Sequence, residues 1–95
     1  MTTSITAIVP VYNEEKFLKQ SVIRLLDIDE INTIYLVDDC STDRSRKIMD
    51  QLSLENNKIR LFQTVKNSGK GKAVCSVQKE LTTDYVIIHD ADLEY

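Results

Sequence analysis

"IYLVDDCSTD", residues 34–43, is four apolar residues without alternation, then two carboxylates, then a cysteine and three small polar or acidic residues. A strand that is apolar at successive positions is covered on both faces, which is the condition of a parallel sheet between layers of helix. Ser41 or Thr42 then suits the cap of a helix and Asp43 its first turn, where backbone N–H groups lack partners. Asp38 and Asp39 remain: two acids ending a buried strand, able to accept hydrogen bonds from a base N–H or a ribose hydroxyl.

Three further β-branched runs flank this one: Ile5–Val9, Ile59–Gln63 and Tyr85–Ile88. The first and last are apolar nearly throughout and predict strands covered on both faces; "IRLFQ" alternates and predicts an edge. Between them lie helical periodicities. Leu18, Val22, Leu25 and Leu26 mark one face, Ile48, Met49 and Leu52 a second, and Val74, Val77 and Leu81 a third. Asn13 suits the cap of the first helix, and the third opens after "NSG". The order β-α-β-α-β-α-β predicts an α/β fold, a Rossmann-like three-layer parallel sheet with right-handed crossovers.

With 95 residues, 42% of them hydrophobic, the chain holds one domain with a modest core and no repeat, low-complexity tract or linker. A formal charge of −3 with 28% charged residues suggests no broad attraction to nucleic acid or anionic membrane. Two cysteines far apart, Cys40 and Cys75, with the lone His89, are too few for a zinc site and read as reduced thiols in or near the core. The N-terminus has neither a basic region nor an apolar stretch long enough for a signal peptide, so the expected location is cytoplasmic.

Ligands of open α/β sheets bind outside the carboxyl ends of the strands. The residues there are "PVYNEE" (10–15), "DDCSTD" (38–43), "VKNSGKGK" (65–72) and "HDADLE" (89–94). Acids gathered at three of four strand ends repel one another unless a cation or donors compensate. Asp90 and Asp92, two residues apart, can reach one ion, and oxygen ligands favour magnesium or manganese over zinc or copper. "NSGKGK" places backbone N–H groups and Lys70 or Lys72 where an anion would sit at a helix start, without being a GxxxxGK[ST] loop. His89 reads as a rim residue with no assigned chemistry.

Taken together, "AIVPVYNEE", "YLVDDCSTDRS", "NSGKGKAV" and "IIHDADLEY" resemble, in order and spacing, the N-terminal nucleotide-binding half of a family 2 glycosyltransferase of the dolichol-phosphate mannosyltransferase type, from Ile5 to Tyr95. The resemblance implies a partial GT-A fold and a uridine or guanosine diphosphate sugar as donor. It implies that Pro10, Tyr12 and Glu14 pack around the base, and that Asp38 and Asp39 approach base and ribose. Lys70 matches the family's basic position. Asp90, Ala91 and Asp92 match the DxD that meets ribose and metal, and Glu94 a further metal-side ligand, with Mg2+ or Mn2+ as cofactor. Strand one is then expected beside strand four. The family's catalytic base lies well downstream of DxD, so no catalytic residue is assigned, and residues 1–95 are expected to be a donor-binding portion truncated after DxD and inactive alone. The acceptor stays open, and the full-length enzyme is expected at the cytoplasmic face of a membrane.

Other α/β readings fit less well. A dinucleotide dehydrogenase needs GxGxxG where this chain has "PVYNEE", and a receiver domain would carry its acid pair on strand one. The alternative from another class is a non-catalytic structural or weakly nucleotide-binding fragment, whose fourth strand would leave apolar surface and promote self-association.

Overall fold

The computed structural model describes residues 4–64, 77, 83 and 85–89. Four strands, β1 (Ile5–Val11), β2 (Ile31–Asp38), β3 (Ile59–Gln63) and β4 (Tyr85–Ile88), form one parallel sheet in the order β3-β2-β1-β4. β1 lies between β2 and β4, and β3 is an edge, as its alternation predicts. Strand order reverses beside β1, which puts the switch point at the carboxyl ends of β1 and β4.

Two strands are longer than their apolar runs. β2 begins at Ile31, and β1 continues through Pro10 to Val11. Pro10 is tolerated inside a central strand because of its parity. Val11 O accepts from Asp39 N (2.8 Å) and so faces β2, whereas Ile8 O accepts from His89 N (3.0 Å) and faces β4. Pro10 shares the parity of Ile8, and the described pairing with β4 ends at Ile8 opposite Ile88. Its missing N–H is therefore not required by β2. At the other end of the pair, Ile5 lies opposite Ile31 and Thr6 opposite Thr33, so Asn32 is an extra residue. Its side-chain Oδ1 accepts from Ile5 N (2.8 Å), giving that amide a partner where the ladder is interrupted.

Helices α1 (Leu18–Leu26) and α2 (Ser45–Glu55) cover the same face of the sheet. Leu18, Val22 and Leu25 from α1 and Met49 and Leu52 from α2 are buried against Ala7, Val9, Val11, Ile34, Leu36 and Ile59. Leu26 and Ile48 pack at the margin of this core. Each such side chain contributes about 1.5–3 kcal/mol on full burial. The opposite face carries Ile8, Tyr35 and Val37 with Val77 buried on them and Phe62 alongside. The Tyr35 and Phe62 rings pack with centroids 4.8 Å apart and planes tilted by 47°, and the Arg60 guanidinium lies 5.8 Å from each ring. Val74 and Leu81, expected with Val77 on a third helix, lie outside the described residues, as does Cys75.

Three local expectations are corrected. Asn13 does not cap α1: the helix starts at Leu18 with Phe17 before it, led in by a backbone bond from Leu18 N to Glu14 O (2.9 Å). Neither Ser41 nor Thr42 caps α2, whose first residue is Ser45; Asp43 Oδ1 instead accepts from Ser45 N (2.8 Å). Finally, β4 is not covered on both faces. Tyr85 (62%) and Ile88 (59%) are exposed together with Val86 and Ile87, because among the described residues β4 pairs with β1 alone and no strand lies beyond it.

Candidate functional site

The loops after β1 and β2 are tied to each other at the carboxyl rim of the sheet. Asn13 stands in the left-handed region (φ 52°), which asparagine tolerates better than most residues. That conformation aims its side-chain Oδ1 at the facing loop, where it accepts from Thr42 N (2.7 Å), Asp43 N (3.3 Å) and Thr42 Oγ1 (3.4 Å). In return Asn13 N donates to Ser41 Oγ (3.0 Å), Glu14 N to Ser45 Oγ (2.8 Å) and Glu15 N to Asp43 Oδ2 (3.2 Å). Three consecutive amides of the first loop are thus occupied by the second. These three amides are therefore not open to an incoming anion.

Asp43 is the anionic member of this latch. Burial pushes its carboxyl up, but hydrogen bonds from the Ser45 hydroxyl and from the amides of Ser45, Glu15 and Asp43 itself outweigh that and hold it below its ordinary value. Cys40, also left-handed (φ 62°), turns the chain between the acid pair and the latch, with its Sγ 3.5 Å from Thr64 O.

The acid pair sits at the end of β2, with Asp38 2% and Asp39 3% exposed. Asp38 Oδ1 accepts from Ser41 N (3.0 Å), and its Oδ2 lies 3.9 Å from Arg46 Nη1. Asp39 Oδ1 accepts from Thr64 Oγ1 (2.7 Å), while Thr64 N donates to Asp38 O (3.0 Å). Pro10 is buried at the end of β1, Tyr12 is exposed, and Glu14 is half-buried. The structure therefore brings the loop 10–14 and the pair Asp38–Asp39 onto one rim. Lys70, Asp90, Ala91, Asp92 and Glu94 lie outside the described residues. Among the described residues no three His, Cys, Asp or Glu side chains gather as metal ligands.

His89 follows β4 directly and is half-buried; its Nε2 is enclosed with no hydrogen-bond partner among the described residues. Sequence reasoning missed three residues of the rim. Asn13 has the chemistry of a helix cap but bonds across to the facing loop, Thr64 lies one residue past its strand, and Arg46 belongs to a helix whose exposed positions carry no periodic signal. An open groove of about 510 Å³ runs between Glu15 and the outer side of α2, lined by Arg44, Lys47, Ile48 and Gln51. No described helix is long and apolar enough to cross a membrane.

Comparisons with known proteins agree with this geometry. A family model described as glycosyl transferase family 2 matches residues 6–95. An uncharacterized glycosyltransferase of Haemophilus influenzae is 33% identical over 89 residues, covering 93% of this chain and 36% of that protein. Mannosyltransferase PcManGT from Pyrobaculum calidifontis, solved in complex with GDP-Man and Mn2+, superposes with a TM-score of 0.87 at 23% identity, over 97% of this chain and 28% of that one. TarS 1–349 of S. aureus, solved in complex with UDP-GlcNAc, gives a TM-score of 0.82 at 31% identity, with 97% and 27% coverage. The chain spans about a third of the length of the curated relatives it matches. In its motifs, its parallel sheet and its strand order, this chain belongs to glycosyl transferase family 2, with the fold of the GT-A enzymes.

Proposed function

We propose that residues 1–95 form the donor-nucleotide-binding portion of an enzyme that transfers a sugar from a nucleotide diphosphate to an acceptor hydroxyl. The observation that carries this reading is the buried pair Asp38–Asp39 at the end of β2, on the same rim as loop 10–14 and beside the switch point. Beside a proline, a tyrosine and a glutamate, the acid pair offers a buried carboxylate as acceptor for a base N–H or a ribose hydroxyl, and the loop offers an apolar surface for the base. Two relatives of the same fold are solved with GDP-Man and with UDP-GlcNAc, which supports a guanosine or uridine donor.

In this reading Pro10, Tyr12 and Glu14 hold the base, Asp39 meets base or ribose, and Lys70 opposes negative charge on the leaving diphosphate. Asp90, Ala91 and Asp92 would meet ribose and diphosphate, and Asp90, Asp92 and Glu94 would hold magnesium or manganese. When bound, such an ion neutralises charge that develops on the diphosphate.

The test is a titration of the chain with UDP and with GDP, followed by amide resonances, with magnesium and then with trace manganese. Metal-dependent shifts at Tyr12, Asp39 and residues 90–94, and manganese broadening confined to that rim, are expected. No shift at millimolar nucleotide would sink donor binding by this chain.

A further inference from the structure

The two adjacent acids of β2 point to opposite faces of the sheet. Successive residues of a strand alternate, so Asp38 follows Ile34 and Leu36 onto the face covered by α1 and α2. Its partners agree with this: Ser41 N reaches it from the β2–α2 turn and Arg46 Nη1 from the first turn of α2. Asp39 has the parity of Tyr35 and Val37, and it meets Thr64, which has the parity of Phe62, on the face where Val77 is buried. Pro10 has the parity of Ile8 on that same second face. A ligand resting on Pro10 and Asp39 therefore has Asp38 turned away from it, behind the strand.

Arg46 does more than pair with Asp38. Its Nη1 also donates to Gln63 Oε1 at the end of β3, and its Nε to Asp50 Oδ1 (3.3 Å) one turn along α2. The guanidinium so spans the ends of β2 and β3 from the helix, with a side chain 43% exposed on one side and a carboxylate 2% exposed on the other. Arginine's planar fork suits this three-way contact, and a buried carboxylate left without it would be costly.

We propose that Asp38 and Arg46 are a positioning pair, which holds the β2–α2 turn so that Asp39 alone of the two acids faces the donor nucleotide. The inference rests on the donor-site reading for its ligand, though not for its geometry. Asp38 Oδ1 fixes Ser41, Arg46 fixes Asp38, and the turn through Cys40 thereby sets where Asp39 stands.

The test has one arm without ligand and one with it. In the free protein, Arg46→Met should move the amide resonances of Asp39 and Ser41, and Arg46→Lys should restore them in part; should Arg46→Met not fold, Arg46→Lys against the unaltered chain serves alone. Unmoved Asp39 and Ser41 amides would overturn the proposal. With UDP and magnesium, Asp39→Asn should weaken binding by about tenfold or more, the order expected for a hydrogen bond to a charged group. Asp38→Asn and Arg46→Met should each weaken it less, and the double variant no more than the worse single one, as for two members of one unit. Magnesium pyrophosphate, which lacks a nucleoside, should bind these variants as it binds the unaltered chain, whereas general damage to the fold would weaken both probes. Additive losses, with Asp38→Asn as severe as Asp39→Asn, would overturn the assignment. If the unaltered chain binds neither UDP nor GDP, the donor-site reading fails, while the free-protein arm still decides the pair.

Discussion

β1 and β4 lie side by side, in register from Ile5 opposite Tyr85 to Ile8 opposite Ile88, and both are strongly apolar. Every residue of β1 after Ile5 is buried; every residue of β4 is exposed. The difference is a matter of neighbours. β1 has a strand on either side, two helices over one face and Val77 over the other side of the sheet, whereas β4 has β1 alone among the described residues. An apolar run states what a strand needs around it, and the neighbouring elements decide whether the need is met.

The register partners Ile8 and Ile88 give the sharpest test. Ile8→Ala removes a wholly buried side chain and should cost about 2–5 kcal/mol in urea unfolding, while Ile88→Ala should cost below about 1 kcal/mol. Equal losses would break the comparison, because Ile88 would then be covered in solution.

Next in size is the anchoring of β1 at its carboxyl end. Asn13→Ala removes the acceptor for two amides and places a residue without a polar side chain at φ 52°, for an expected loss of about 1–3 kcal/mol. Asn13→Gly keeps the backbone conformation and should lose about 1 kcal/mol less. If both variants unfold at the same urea concentration, backbone strain at this position is negligible.

A patch containing Tyr85, Val86, Ile87 and Ile88, on a strand that pairs with β1 alone among the described residues, favours pairing between chains. Light scattering should show mass rising with concentration, and Ile88→Lys should raise the concentration needed by about tenfold, in keeping with one charge placed on an edge strand. A monomer at every concentration would mean that β4 is protected by something other than a second copy.

The smallest effect concerns pH. Asp43 has a carboxyl pKa below its ordinary 3.8, so folding favours its charged form. Its stabilising contribution is fully present above the unfolded value and is lost as pH falls through the lower folded value. Asp43→Asn should therefore flatten part of the acid limb of stability below about pH 4, with less change at pH 7 than Asn13→Ala causes; an unchanged acid limb would contradict the shift.

The architecture was readable because its signals are long-range in origin but local in appearance. Runs apolar nearly throughout at Ile5–Val9 and Ile34–Val37 announce central strands, and the alternation of "IRLFQ" announces an edge. The rim could be located for the same reason, since ligands of such sheets collect at strand ends. What could not be read is which partner each polar side chain selects. Asn13, Ser41 and Thr42 have the chemistry of helix caps, and their oxygens do bond backbone or neighbouring polar groups, but across two loops 28 residues apart instead of within a helix. Capping rules count sequence distance, and here the competing partner is near only in space. Asp38 and Asp39 look equivalent in sequence, yet strand parity sends them to different faces.

That parity gives the bulge at Asn32 a second meaning. Within a paired strand, adding or removing one residue inverts the facing of everything beyond it. A length change close to Asp38 would exchange the two acids, turning the helix-facing carboxylate outward and burying the other under α2. At the opposite end of β2 the ladder already carries one surplus residue, bridged by the Asn32 side chain. Variation in chain length is therefore expected to be tolerated ahead of Thr33 and excluded after it, so that β2 is permissive where it begins and exact where it ends.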